Sequence, residues 1–166
     1  MDPLLETLQQ EILSAVEGLT PEQLSWHAPE KWCAAEVLEH LYLTYTGTVK
    51  GFERVVEAGK PLATATTLKQ RVGRLVVTRF SYLPSRREAP PVARPRGLAQ
   101  EKVRAEIGAT IAALDDILRG VRRARKKLLD HPILGPLTAW QWRKFHRVHG
   151  RHHGKQIRRL RAMAGS

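Results

Sequence analysis

Two histidines, His149 and His153, stand four residues apart in the C-terminal stretch His131 to Leu160 of this 166-residue chain, a stretch that holds five of the seven histidines. In a helix four residues amount to about 400° of rotation and about 6 Å of rise, so the two imidazoles point the same way and can share one metal ion. Neutral imidazole is a good ligand for Zn²⁺, Ni²⁺, Fe²⁺ or Cu²⁺. A third ligand must then come from upstream. The candidate is His40, three residues after Val37 and four before Thr44, on what periodicity marks as the buried face of its helix. A histidine on an apolar face is ordinarily a core residue with a satisfied hydrogen bond, and that reading stays open beside the metal. Three inward imidazoles weigh against it, because each unsatisfied one costs about 1 to 3 kcal/mol and one shared ion satisfies all three.

Other chemistries are excluded by residue. A zincin needs Glu directly after its first histidine, where this chain has Gly150. The single cysteine, Cys33, rules out a zinc finger and an internal disulfide. No phosphate-cradling glycine loop is present, and nothing marks a nucleophile elbow.

The helices that would carry these residues read from capping and periodicity. Asp2-Pro3 starts a helix with Leu5, Leu8, Ile12 and Val16 on one stripe, and Gly18 stops it. Thr20-Pro21-Glu22-Gln23 is a capping box for a short turn over 21–25. Cys33 to Gly59 is helical, with Val37, Leu41, Thr44, Tyr45, Thr48, Phe52, Val55 and Val56 on one side. The stretch from Leu68 to Leu83 permits a flanking helix, or a short strand at Val76 to Thr78. Four prolines and four arginines between Pro84 and Gly97 indicate an extended loop. Periodicity predicts a helix from about Leu98 to Asp130, its last turns carrying Arg119, Arg122, Arg123, Arg125, Lys126 and Lys127. After the breaks at Pro132 and Gly135-Pro136, the capping box Thr138 to Gln141 opens a last helix with Trp142, Phe145, His149, His153, Gln156, Leu160 and Met163 on one face. His146 and His152 fall off that direction and are expected at the rim or in solvent.

Length and composition suit one domain, residues 1–166, with no apolar run near the ~20 residues of a spanning helix. The Met-Asp-Pro start lacks the features of a secretion signal, and with a lone cysteine the expected location is the cytoplasm. The net charge of +12 is unevenly placed: residues 1–60 carry four basic and ten acidic residues, and residues 61–166 carry 24 and six. The basic half would suit nucleic acid, an anionic substrate or an acidic partner, and equally a plain solvated face. Interleaved exposed aromatics are missing, so nucleic acid is not favoured.

Lys31-Trp32-Cys33-Ala34-Ala35-Glu36-Val37-Leu38-Glu39-His40-Leu41, then Leu134-Gly135-Pro136-Leu137-Thr138, then His149-x-x-x-His153-x-x-Gln156-Ile157, resembles the DinB-like superfamily, which includes bacterial thiol-dependent S-transferases. The resemblance spans nearly the whole chain. It implies an all-α four-helix bundle of up-down-down-up topology, usually a homodimer, with a divalent metal ion on three histidines. The ligands carry over onto His40, His149 and His153. Zn or Ni is the expected ion, with Fe or Mn as alternatives. The implied activity is a thiol-dependent S-transferase, using a low-molecular-weight thiol on a small-molecule substrate, or a metal-dependent hydrolase. The alternative is a non-catalytic or nucleic-acid-binding basic helical bundle with core histidines. Glu36, one turn before His40 on the same side, is the best nearby carboxylate for an outer-sphere or general-base role, and Gln156 is placed to orient a ligand or water. Cys33 stands where the family often has a capping serine, so that helix start is expected to lean on Glu36 and on Trp32.

Overall fold

The computed structural model describes residues 1–81, 88–121 and 126–165. It is mostly helical. In chain order the elements are α1 (Pro3–Val16), α2 (Pro21–Ser25), α3 (Ala34–Ala58), α4 (Leu68–Phe80), a 3₁₀ turn at Pro91–Ala93, α5 (Gln100–Gly120), strands β1 (Leu129–His131) and β2 (Gly135–Leu137), and α6 (Ala139–Ala164). Among the described residues no helix is long and apolar enough to cross a membrane.

The helix starts are set by side chains. Asp2 accepts from the Leu4 N–H at 3.0 Å, with Pro3 as the first helical residue. Thr20, Thr67 and Thr138 each form a reciprocal capping box with the glutamine three residues on. At α3 the box is made by Cys33 and Glu36: the cysteine sulfur accepts from the Glu36 N–H, and Glu36 Oε2 accepts from the Cys33 N–H at 2.8 Å.

Helices α1, α3, α5 and α6 are the long elements, and α1 packs on α6 as α3 packs on α5 and α6. Leu5, Leu8, Ile12, Leu41, Tyr45, Phe52, Ile107, Ile111, Leu114 and Leu118 are fully buried between them. Each such apolar side chain contributes about 1.5 to 3 kcal/mol of transfer free energy. Val56, expected on the buried side of α3, is 59% exposed.

Residues 68–80 are helix, not strand, and the loop before α5 contains the 3₁₀ turn; residues 82–83 of the expected flanking stretch and 84–87 of the expected loop lie outside the described residues. The third long helix is shorter than expected. It ends at Gly120, and Leu129–His131 instead pairs antiparallel with Gly135–Leu137. Leu128 and Leu129 fit a helical period, but Pro132 holds the preceding residue extended, and Gly135 at φ 67° makes the return. Arg119 is therefore in a last helical turn, Lys126 and Lys127 are past it, and Arg122, Arg123 and Arg125 lie outside the described residues.

The charge asymmetry is partly spent inside the fold. Arg147 on α6 makes a bidentate pair with Glu11 on α1, at 2.7 and 2.8 Å. Arg158 and Arg161 donate to the carbonyls of Glu11 and Glu17. Arg143 is buried, its Nε 3.4 Å from Asp2 and 3.8 Å from Asp115. Four basic residues of α6, Arg143, Arg147, Arg158 and Arg161, thus bind the acidic N-terminal part of the chain or Asp115.

Candidate metal centre

Helices α3 and α6 bring His40, His149 and His153 together, with one ring nitrogen from each within 4.8 Å of the others. Ring centroids are 5.0 Å apart for His40 and His149, 4.8 Å for His40 and His153, and 4.6 Å for His149 and His153. His40 and His149 are buried, and His153 is half-buried.

Hydrogen bonds decide which nitrogens are free. Nδ1 of His40 donates to the Ala93 carbonyl at 2.7 Å, and Nδ1 of His153 donates to Gln156 Oε1 at 2.9 Å. Both rings are thereby held as Nδ1–H tautomers, with Nε2 lone pairs available. His40 Nε2 and His149 Nε2 face each other at 3.1 Å. Two nitrogens on a tetrahedral ion at 2.0 to 2.1 Å are about 3.3 Å apart, so this separation is the edge of such a coordination shell. A proton between His40 and His149 would satisfy that pair but leave the His153 nitrogen unused; a divalent ion takes all three.

Electrostatics keep the three imidazoles neutral. Burial lowers the proton affinity of all three, and the neighbouring imidazoles lower those of His149 and His153 further, that of His153 to about 3. Unprotonated imidazole is the form that binds a metal.

Around the triad lies a cavity of about 890 Å³, walled by α3, α4, the 88–93 loop, the β1–β2 turn and α6. Leu43, Val72, Val76, Val77, Leu134 and Phe145 make it largely apolar. Trp32 lines it and packs on His40, with centroids 5.3 Å apart.

The other expected site residues divide. Gln156 is at the triad through His153. Glu36 is not grouped with the three imidazoles: it caps α3 and falls with His27 and Cys33, 3.7 Å from His27 Nδ1. The Cys33 thiol is buried, which raises its pKa. His152 lines the cavity, half-buried. His146 is a correction: it is fully buried, against Tyr45, Trp142 and Phe145, with both ring nitrogens unpartnered. The cause is that α1 and α3 both press on α6, so its buried arc covers about half the circumference, wider than a single stripe.

Sequence reasoning missed Glu39 and His131. Glu39 directly precedes His40 and accepts from the N–H groups of Arg96 and Gly97 at 2.8 and 3.1 Å, which fixes the loop carrying Ala93. His131 closes β1 and lines the cavity. Its signal was only a His-Pro pair in a turn.

With this geometry in hand, the class of protein is a mostly helical chain with a candidate three-histidine metal centre. The chain matches the family described as protein of unknown function (DUF1569) over residues 5–160, and it belongs to that family. No curated protein and no solved structure matches it.

Proposed function

We propose that this protein binds one divalent metal ion, Zn or Ni first among the candidates, through His40, His149 and His153, and acts on a small molecule taken into the adjoining cavity. The observation that carries this is the convergence of three nitrogens, two of them fixed as lone pairs by partners on the far side of their rings. Bound there, the ion keeps its full +2 charge because all three ligands are neutral, and so favours the anionic form of a thiol or of water.

The chain's own residues do the rest. Ala93 and Gln156 hold two ligand rings in orientation, and Trp32 covers one side of His40. The apolar walls strip water from what enters. Resemblance to the DinB-like superfamily supports thiol-dependent S-transfer, in which a thiolate sulfur attacks an electrophilic carbon and the leaving group departs with its electron pair. Hydrolysis uses the same residues with water in place of the thiol. The same resemblance supports an up-down-down-up arrangement of α1, α3, α5 and α6 and a homodimer, and the single free cysteine fits a cytoplasmic setting.

Elemental analysis of protein purified without a histidine tag, beside the His149→Ala variant, tests the metal. One ion per chain in the wild type and none in the variant is expected; a wild type without stoichiometric metal after reconstitution ends the reading. A panel of thiols with generic electrophiles then separates S-transfer from hydrolysis, which proceeds without added thiol.

A further inference from the structure

The cavity extends past the three ligands to His131, whose position assigns it one chemical capacity. The N–H groups of Ile133 and Leu134 both donate to its Nδ1, at 3.1 Å each. That nitrogen is therefore unprotonated and its lone pair occupied, so in the neutral ring the proton is on Nε2. Burial pushes the imidazole down to about 4, which keeps it neutral at physiological pH. With no free lone pair, His131 can neither ligate a metal nor accept a proton. It can only donate.

Among the described residues Nε2 makes no hydrogen bond, and it is not among the buried atoms cut off from solvent. His131 is a lining residue of the cavity, which is the route by which a ligand would reach this donor. Phe145 fills the space between, 4.3 Å from the His131 ring and stacked at 5.2 Å on His149. The Phe145 ring thus lies between His131 and His149 as an apolar surface.

We propose that the cavity recognises an elongated apolar molecule bearing an oxygen acceptor, such as a carbonyl, at the end remote from the three-histidine centre, and that His131 Nε2–H is the donor that selects it. This rests on reading the cavity as the substrate side of the metal centre. The selection itself is a property of the protein alone and is measured without metal.

The probes are 1-acetonaphthone and 1-ethylnaphthalene, which differ by a carbonyl in place of a methylene. Binding is followed by quenching of tryptophan fluorescence, since Trp32 and Trp142 line the cavity. The variant is His131→Asn, whose Oδ1 can still accept from the two turn amides while the shorter side chain has no donor at the Nε2 position. The ratio of ketone to hydrocarbon affinity is expected to fall about tenfold in the variant, the worth of one neutral hydrogen bond. An unchanged ratio overturns the proposal. Long-range ¹H–¹⁵N spectra of the wild type supply a second test that needs no variant. An Nε2–H tautomer whose Nε2 shift moves with the ketone and not with the hydrocarbon is expected; an Nδ1–H tautomer, or equal shifts with both, overturns it. Metal content distinguishes the two readings: a wild type that binds no metal but keeps the ketone preference refutes the metal centre alone.

Discussion

Nδ1 of His40 donates to the carbonyl oxygen of Ala93 across 53 residues of sequence. That bond fixes the tautomer of the one candidate ligand that α6 does not supply. The loop offering the carbonyl is itself held by Glu39, a buried carboxylate that accepts from Arg96 and Gly97. Replacing Glu39 by Ala orphans two backbone donors and frees the loop. Loss of an outer partner of a metal ligand costs about 10- to 100-fold in affinity, and Glu39 acts one bond further out, so about a tenfold weakening is expected. Competition with a chromophoric chelator measures it; affinity equal to wild type would show the loop to be held without Glu39.

Gln156 orients His153 from within the same helix, at 2.9 Å. The Gln156→Ala variant is expected to keep its melting temperature, because the residue is half-buried and caps nothing, while metal affinity falls about tenfold or more. A variant that loses stability and retains affinity contradicts this assignment.

The spacing of His149 and His153 and the inward face of His40 were legible because helical periodicity reports direction. The structure brings those three residues together as the spacing predicts. Periodicity says nothing of how many neighbours a helix has. His146, about 60° around α6 from His149, is buried because α3 covers that side as well. Nor does it reveal what a turn encloses: His131 enters the cavity because Pro132 and Gly135 fold a hairpin where Leu128 and Leu129 continue a helical pattern. Nor does it show that Arg143 is buried, since its partners Asp2 and Asp115 are remote in sequence.

His131 and His146 make stability depend on pH. Burial depresses His131 to about 4 and His146 to about 3, from an ordinary value of 6.5. Below pH 6.5 the unfolded chain binds protons that the fold excludes, so stability is full above that value and is lost as pH falls toward 4. Each of the two contributes a slope of about 1.4 kcal/mol per pH unit. In chelator-treated protein the urea midpoint is expected to drop steadily from pH 7 to pH 4.5. Both nitrogens of His146 lack partners, so His146→Leu is expected to be neutral or stabilising at pH 7 and to gain over wild type at pH 5. Destabilisation by more than about 2 kcal/mol at pH 7 would mean that the ring's nitrogens are satisfied in solution by something the apolar side chain displaces.

Gly150, next to His149, is where a zincin would carry its glutamate. A Cβ there would meet Leu8 Cδ1 at 2.0 Å and the Tyr45 hydroxyl at 2.9 Å, both fully buried side chains. In an open helix Gly→Ala gains about 1 kcal/mol, but overpacking costs about 1 to 3 kcal/mol, and here both neighbours are pinned. Gly150→Ala is therefore expected to lower stability by about 1 to 2 kcal/mol in denaturant titration, whereas the same change at Gly47, with nothing near its Cβ, is expected to raise it. A stabilised Gly150→Ala variant would show that α1 and α6 can part without cost.

Asp115 holds three elements together. Its carboxylate is buried on α5, accepts from the Asp2 N–H at the start of α1 at 3.2 Å, pairs with Arg119, and lies 3.8 Å from Arg143 of α6. Arg119 is exposed, so losing that pair alone would cost little. Arg143 is different, because its charge is buried and its other carboxylate, Asp2, is positioned by Asp115 itself. Asp115→Ala should leave the guanidinium underpaired and lower stability by about 3 to 5 kcal/mol. The double variant Asp115→Leu with Arg143→Met removes the charge along with its partner and is expected to recover most of that loss. Recovery shows that the cost lies in the stranded charge; a double variant as unstable as Asp115→Ala would place it in the lost tie to α1.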